Sequence, residues 1–104
     1  MVNLLYVTCK NEAEAKKIAE KLLKEKLVGC VNIIPKIKSL YLWKGKIAKS
    51  SEALMFCKTK EELVELAIHR IKELHSYDVP CISAIEITKE NDDYLKWLEE
   101  VLEK

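Results

Sequence analysis

Glycine and proline are scarce in this sequence of 104 residues, with two of each, and glutamine is absent. So few glycines and prolines exclude long flexible linkers, and a hydrophobic content of 49% excludes an intrinsically disordered chain. The sequence also lacks any apolar run near the ~20 residues that a membrane-spanning helix needs, so a membrane is not an expected partner. We expect a single domain over residues 1–104.

Neither sign of charge is in clear excess, because 18 basic residues face 17 acidic residues and the net charge is +1. Proteins that bind nucleic acid through its phosphates need a surplus of positive charge, so nucleic acid is not an expected partner. Residues 1–9 also lack a basic segment followed by a small-residue cleavage site. Without a secretory signal there, we expect a cytoplasmic protein.

Closely spaced cysteines are missing as well, since the four cysteines are far apart and form no Cys-x-x-Cys pair. This spacing predicts neither a zinc finger nor a local disulfide framework. We expect reduced thiols that are mostly buried. Their positions are Cys9, Cys30, Cys57 and Cys81.

The first quarter of the chain predicts a strand followed by a helix. Residues 2–8 are a nearly continuous run of strand-forming residues, typical of a central strand that is covered on both faces. Asn11 followed by Glu14 forms an N-cap and capping-box signature, and apolar residues then recur at helical spacing. We therefore expect a helix over about residues 12–26.

A long hairpin is expected next. Residues 28–43 are β-branched, aromatic and alternating, and Pro35 interrupts them with a residue that cannot donate to a strand ladder. Residues 44–46 supply the turn, and the following residues return as an antiparallel strand. Pro35 is therefore expected to mark a bulge, a bend or an edge position in the first arm of the hairpin.

The remaining residues predict a helix, a strand and a final helix. Thr59 and Glu62 repeat the capping signature before an apolar stripe, residues 81–88 alternate as a strand, and Asn91 caps the last helix. The order is therefore βαββαβ with an extra C-terminal helix. We expect an α+β, ferredoxin-like fold in which both crossover helices pack on one face of a four-stranded antiparallel sheet.

The long β2-β3 hairpin is the most informative feature, because its first arm is expected at a sheet edge, where unpaired backbone groups invite association. Tyr41 and Trp43 point to one face of this arm, whereas Leu40 and Leu42 point to the other. One small monomer can hardly bury both faces, so we expect the arm to dock on other copies, as in a closed ring. The alternative is that the aromatic residues cover the core of their own domain.

Five sequence blocks, spread over nearly the whole chain, resemble those of the CutA divalent-cation tolerance proteins in the same order. The blocks are residues 30–35 (CVNIIP), 39–47 (SLYLWKGKI), 58–59 (KT), 75–80 (HSYDVP) and 94–97 (YLKW). Ser76 stands where the family usually has a proline, and Cys81 stands where a glutamate commonly follows the Val-Pro pair. The second difference replaces a hard oxygen ligand with a soft sulfur.

The resemblance implies a homotrimer in which the hairpins pair between subunits and leave clefts at the junctions. It also implies binding of copper or another divalent cation in metal-ion tolerance, with no organic cofactor and no established enzymatic reaction. The architecture is similar to that of the PII signalling trimers. The alternative function is therefore a signalling module that binds a small anionic ligand in the inter-subunit cleft.

Three residues are candidate metal ligands. By the resemblance, Cys30 is the thiol proposed as a ligand, and the imidazole of His75 complements it, because thiolates favour Cu(I) and Zn(II) whereas imidazole suits Cu(II), Zn and Ni. Cys81 follows His75 across a proline-containing turn and can in principle complete a chelate. The alternatives are that both cysteines are packing residues and that His75 caps the end of a helix.

A ligand pocket is expected from two groups of residues. Lys58 and Thr59 lie at a strand-to-helix junction, where free backbone amides and the lysine ammonium can hold an anion. Tyr41, Trp43 and Tyr77 are the candidate walls of this pocket.

Nucleophilic catalysis is the competing hypothesis, in which His75 activates Cys30 or Cys81 and Asp78 orients the imidazole. The sequence contains no glycine-rich nucleophile elbow and no phosphate-binding loop. We therefore expect a binding protein and not an enzyme.

Overall fold

The protein contains four strands and three helices in a computed structural model that describes residues 1–103. The elements are β1 (Val2–Cys9), α1 (Glu12–Lys24), β2 (Cys30–Trp43), β3 (Lys46–Lys60), a 3-10 turn (Glu61–Leu63), α2 (Val64–Leu74), β4 (Ile82–Ile87) and α3 (Asp92–Val101). The strands form one antiparallel sheet in the order β2-β3-β1-β4, so β2 lies at an edge. The expected α+β, ferredoxin-like architecture is confirmed. Among the described residues, no helix is both long and apolar enough to cross a membrane.

The main core lies between one face of the sheet and helices α1 and α2. Alternate residues of the two central strands, such as Leu5, Val7 and Met55, point to the helices and are fully buried. The helices supply the apolar stripes that the sequence periodicity indicates, with Ile18 and Ile71 fully or almost fully buried. Burial of these side chains is the main force that holds the helices on the sheet.

The hairpin of β2 and β3 makes the molecule elongated, with dimensions of 45 × 26 × 22 Å. Ile34 lies opposite Leu54, whereas Ile37 lies opposite Glu52. Between these pairs β2 advances by three residues while β3 advances by two, so one extra residue forms a bulge at Pro35. The predicted irregularity at Pro35 is confirmed.

Two of the predicted helix caps are present. The side chain of Asn11 accepts a hydrogen bond from the Glu14 backbone amide at 2.9 Å, and the side chain of Asn91 accepts one from the Asp93 amide at 3.0 Å. Helix α1 ends before Lys26, because Lys26 has a φ of 57°, which lies outside the right-handed helical region.

Thr59 is not a helix cap, and the prediction that Thr59 and Glu62 begin the second helix is wrong. Thr59 lies in β3, where it is fully buried and its hydroxyl donates a hydrogen bond to the Leu27 carbonyl at 2.7 Å. The strand continues past the capping signature because its ladder with β1 extends to the pair of Val2 and Lys60. The chain then enters α2 through a 3-10 turn whose N-cap residue makes no side-chain hydrogen bond.

Helix α3 covers one end of the sheet. Leu98 and Leu102 pack against Val2 and Leu63 in a second apolar cluster. Leu98 also lies directly against Gly29, where any larger residue would collide with its side chain. The extra helix is therefore part of the packed structure and not an appendage.

We expect Thr59→Val to lower the free energy of unfolding by about 1–3 kcal/mol, because the substitution keeps the shape but removes the donor to the buried Leu27 carbonyl. Urea unfolding followed by circular dichroism measures this difference. The control is Thr88→Val at an exposed position, for which we expect a change within about 0.5 kcal/mol. Equal effects of the two substitutions would contradict this role of Thr59.

Candidate functional site

The sheet face opposite the helices carries apolar side chains that the chain itself does not cover fully. We call it the open face, and it includes Leu4, Tyr6, Ile34, Phe56 and Ile85. Ile34 and Ile85 are 44% and 49% exposed. The rings of Tyr6 and Phe56 pack edge to face, with centroids 5.8 Å apart. The open face is therefore a broad apolar surface next to the hairpin.

A cleft of about 820 Å³ lies where the hairpin meets the open face. The walls come from β1, from both arms of the hairpin and from the loop between α2 and β4. The lining residues are Tyr6, Thr8, Ser39, Leu40, Tyr41, Trp43, Ser50, Glu52, Tyr77, Asp78, Val79 and Cys81. The cleft thus combines aromatic rings, carboxylates and one thiol.

Glu52 and Tyr77 connect the hairpin to the loop that follows α2. The Tyr77 hydroxyl donates a hydrogen bond to Glu52 Oε2 at 2.8 Å. Burial, this hydrogen bond and the charge of Glu52 raise the pKa of Tyr77 above its usual range, so the hydroxyl stays protonated at neutral pH. Cys81 lines the same cleft as an exposed free thiol.

His75 follows α2 directly and uses both ring nitrogens within the chain. Its Nε2 lies 2.8 Å from the carbonyl oxygen of Thr8, and its Nδ1 accepts a hydrogen bond from the Tyr77 backbone amide at 3.1 Å. Because a carbonyl only accepts and the amide only donates, these bonds are satisfied when the proton is on Nε2. His75 therefore fixes the start of the loop that carries Tyr77 into the cleft.

Cys9, Glu14 and His75 bring their possible ligand atoms within 4.8 Å of one another. The two carboxylate oxygens of Glu14 accept hydrogen bonds from the backbone amides of Lys10 and Ser76, at 2.8 and 2.9 Å. Burial, with the charge of nearby carboxylates, raises the pKa of the Cys9 thiol to about 12. The hydrogen bonds of Glu14 and His75 join β1, α1 and the end of α2 at this cluster.

Cys30 belongs to a different polar group, which also contains residues of β3 and α3. The Cys30 Sγ lies 3.9 Å from Asn32 Oδ1. Tyr94 is close to Cys30, and burial together with a hydrogen bond to Cys30 raises the pKa of the Tyr94 hydroxyl to about 12. Lys58 lies opposite Cys30 in the ladder. The Lys58 ammonium is 2.9 Å from Glu90 Oε1 and 4.5 Å from the centroid of the Tyr94 ring. Lys58 thus already has an anionic partner within the chain.

Four of the candidate metal-ligand and pocket residues line the cleft, and so does Asp78, which the catalytic hypothesis places beside His75. Tyr41, Trp43, Tyr77 and Cys81 all line it. Thr59, in contrast, is fully buried on the helix side of β3, where its hydroxyl donates a hydrogen bond to the Leu27 carbonyl.

Cys30 and His75 do not meet within one chain. Cys30 lies opposite Lys58, and Lys58 in turn lies opposite Leu4 of β1. His75 instead contacts Thr8 of β1. Thr8 is four residue steps along β1 from Leu4, which separates the two levels of the sheet by about 13 Å, at about 3.3 Å per residue.

Sequence reasoning missed two acidic residues that organise the site. The sequence indicates only a capping role for Glu14, yet its side chain also accepts a hydrogen bond from the Ser76 amide across the end of α2. Glu52 is not among the candidate residues above, although strand alternation from Leu54 and Phe56 puts it on the open face. The alternation was a usable signal for Glu52, whereas the contact of Glu14 with Ser76 depends on tertiary packing.

We expect Glu14→Gln to lower the free energy of unfolding by about 1–2 kcal/mol at pH 7, because the charged acceptor of two amides is lost. Burial opposes ionisation of Glu14, but the hydrogen bonds from Ser76 and Lys10 keep its pKa below the usual value of 4.5. The contribution of the carboxylate is thus complete above pH 4.5 and disappears as the pH falls through its lower folded-state pKa.

The difference between wild type and Glu14→Gln should therefore shrink towards zero in acid. Thermal unfolding from pH 7 down to pH 3 measures it. Glu12→Gln is the matched control in the same helical turn, where the carboxylate is exposed and faces only Lys16 at 3.7 Å. A Glu14→Gln effect that stays constant over this pH range would contradict the assignment.

Comparison with known proteins agrees with this architecture. Residues 3–101 match the family model of the CutA1 divalent ion tolerance protein. The chain is 43% identical over 95 residues to "Protein CutA, chloroplastic" of Arabidopsis thaliana, which covers 91% of this chain and 52% of that protein. It is 42% identical over 103 residues to the divalent-cation tolerance protein CutA of Archaeoglobus fulgidus, with coverage of 99% and 100%.

A solved structure, described as the periplasmic divalent cation tolerance protein CutA from Archaeoglobus fulgidus, has a TM-score of 0.96 at 41% identity and covers 99% of this chain and 100% of that one. The chain spans only about half of some relatives, with 52% of the Arabidopsis protein and 58% of the mouse Protein CutA. The sequence match nevertheless includes nearly every described element. The chain belongs to the CutA1 divalent ion tolerance protein family.

Proposed function

We propose that this chain forms a cytoplasmic homotrimer that binds divalent cations, copper among them, and contributes to metal-ion tolerance without catalysing a reaction. The observation that carries the proposal is an accessible thiol, Cys81, in a cleft whose charged side chains, Glu52 and Asp78, are both acidic. Soft sulfur together with carboxylate oxygen suits borderline metals such as Zn(II) and copper. Four free cysteines support a location in a reducing compartment.

The hairpin supports the oligomeric part of the proposal. The exposed fractions are 63% for Leu40, 78% for Leu42, 62% for Trp43 and 70% for Ile47, so both faces of the hairpin near its turn present apolar surface to water. The arm also carries the unpaired backbone edge of β2. Association with other copies would bury both features, and the resemblance of the hairpin sequence to the family's supports a ring of three.

The proposed ligands are Cys81, Cys30 and His75. Cys30 lies about 13 Å along the sheet from the level of His75, so a site that uses both takes them from two different subunits. Such sharing agrees with a position at a subunit junction. His75 must give up its bond to the Thr8 carbonyl or to the Tyr77 amide before either nitrogen can bind a metal, so we rank it after the two thiols.

The same hydrogen bonds favour binding over catalysis, because neither nitrogen of His75 is free to act as a base for a thiol. An anion-binding signalling module is the weaker candidate. Lys58 is paired with Glu90, and no basic side chain lines the cleft within residues 1–103. A small anion would meet the carboxylates of Glu52 and Asp78 there, and repulsion would oppose its binding.

We expect Cys81→Ser to weaken Zn(II) and Cu(I) binding at least tenfold, since a thiolate ligand is lost and tenfold corresponds to about 1.4 kcal/mol. Cys30→Ser should weaken binding if the two subunits share the site. Isothermal titration under anaerobic, reducing conditions measures both. His69→Gln, at an exposed position on α2, is the control for His75→Gln.

Unchanged affinity in Cys81→Ser, Cys30→Ser and the double variant would remove the thiols from the proposed site. His75→Gln should in addition lower the melting temperature, because its ring fixes the Tyr77 loop. A loss of metal affinity in His75→Gln without any loss of stability would contradict its lower rank as a ligand.

We expect Leu42→Asp to shift the assembly towards smaller species, because it introduces a charge into the apolar arm that other copies are proposed to cover. Light scattering after gel filtration, over a dilution series, measures the mass. Leu66→Asp is the control, since Leu66 is a 54% exposed residue on α2 and not on the hairpin. Equal masses for wild type and Leu42→Asp at every concentration would contradict the role of the arm.

A further inference from the structure

The charges of this chain are separated along the sequence, although the chain as a whole is nearly neutral. Residues 36–51 of the hairpin, which we call the basic ribbon, contain five lysines and no acidic residue. Residues 86–103, which we call the acidic end, run from the end of β4 through α3 and contain seven acidic and two basic residues. The formal charges of the two segments are therefore +5 and −5, in a chain with a net charge of +1.

The fold holds these two segments at opposite ends of the sheet. β1 pairs with β3 from Val2 to Cys9, and the basic ribbon continues beyond the Cys9 end of this ladder. Helix α3 covers the other end, where Leu98 and Leu102 pack with Val2. Seven residue steps separate Val2 from Cys9, which is about 23 Å at about 3.3 Å per residue. The basic ribbon and the acidic end of one chain are therefore too far apart to form ion pairs with each other.

Most of these charges have no partner within their own chain. All five lysines of the basic ribbon are exposed, and none of them forms an ion pair with another residue in the range 1–103. In the acidic end, Glu90 pairs with Lys58. No ion pair joins any other acidic side chain of this segment to a residue in the same range. Two copies can therefore satisfy these charges when the ribbon of one meets the acidic end of the other.

Exposed apolar side chains accompany the charges in both segments. Leu42 and Ile47 are exposed on the basic ribbon, and Trp97 and Val101 are exposed on α3. Each segment also includes part of a sheet edge, because β2 and β4 are the outer strands of the sheet. Burial of the apolar side chains can supply affinity, while the charges determine which surfaces of two copies meet.

We propose that the basic ribbon of one copy docks on the acidic end of the next copy. The inference rests on the homotrimer of the proposed function, and it identifies the surface that receives each hairpin. Contact between the ribbons alone would bring like charges together, whereas contact with the acidic end compensates them. A contact between two different surfaces is head-to-tail, and it closes into a ring when the rotation between copies permits.

The salt dependence of assembly tests the proposal, because attraction between surface charges mainly accelerates encounter and is screened by salt. The full chain is unfolded in urea and diluted into buffer, and light scattering follows the concentration-dependent increase in mass. We expect wild-type assembly to be severalfold slower in about 500 mM than in about 20 mM sodium chloride. This measurement tests the contact without any substitution.

Three charge reversals in the basic ribbon should invert the salt effect. The ribbon variant combines Lys38→Glu, Lys46→Glu and Lys49→Glu, which changes the charge of the ribbon from +5 to −1. The ribbon then repels the acidic end, and salt should accelerate assembly because it screens this repulsion.

The matched control reverses three exposed lysines of α1, outside both charged segments. Its substitutions are Lys16→Glu, Lys17→Glu and Lys21→Glu. The control and the ribbon variant have the same net charge of −5. Salt should nevertheless slow assembly of the control, as it slows assembly of the wild type. Circular dichroism verifies that both variants fold.

Reversal of the acidic end in the ribbon variant should remove the repulsion. Glu86→Lys, Glu99→Lys and Glu100→Lys change the charge of the acidic end from −5 to +1 and return the net charge of the chain to +1. A negative ribbon then faces a positive end. The combined variant should therefore assemble faster than the ribbon variant at low salt, and added salt should no longer accelerate its assembly.

Inversion in the ribbon variant together with recovery in the combined variant would support the contact. Salt-independent assembly of the wild type, or equal salt effects in the ribbon variant and the α1 control, would overturn it. If particles of three chains still form in those cases, the proposed homotrimer stands without this contact. A single-chain mass at every concentration would overturn both, and would leave the basic ribbon free for an acidic partner of another kind.

Discussion

The unpaired, apolar β2-β3 hairpin determines how much of the sheet a single chain can bury. The arm presents free backbone groups on one side and leucine, isoleucine and aromatic side chains on both faces. Its own helices do not reach far enough to cover it, since α1 and α2 are fully used in burying the other part of the sheet. Exposure of such a surface to water is unfavourable, so a single chain buries its apolar residues fully only on the helix-covered part of the sheet.

The difference between the helix-covered face and the open face of the sheet also determines which functional groups are accessible. On the helix side of the sheet, Cys9, Cys57 and Thr59 are fully buried and act as packing or hydrogen-bonding residues. Burial raises the pKa of the Cys57 thiol to about 12, which keeps it protonated and unreactive. On the open side, Glu52 and Cys81 stand among aromatic residues next to the hairpin. The accessible functional groups are therefore concentrated beside the surface that we expect other copies to cover.

Much of the fold followed from sequence pattern alone, because its signals are local. The caps at Asn11 and Asn91, the bulge at Pro35 and the βαββαβ order each depend on a few neighbouring residues. The capping signature at Thr59 predicts a helix start wrongly, because the ladder between β1 and β3 holds Thr59 in the strand. Tertiary pairing outweighed a local preference at that position.

The candidate site was harder to predict, since its contacts join residues that are far apart in the chain. Alternation identified Tyr41 and Trp43 as neighbours, and both line the cleft with Tyr77. The sequence could not reveal that His75 uses both ring nitrogens for backbone contacts or that Glu90 neutralises Lys58. These contacts exist only because the loops are fixed by the packed core, and they change which residues remain free to bind a ligand.

Sedimentation equilibrium of the wild-type protein at micromolar concentration measures whether other copies cover the hairpin. We expect a particle of three times the chain mass of 12.0 kDa, because other copies are proposed to cover the apolar arm. A stable, monodisperse species with the mass of one chain would contradict this expectation, since the apolar arm would then remain exposed to water.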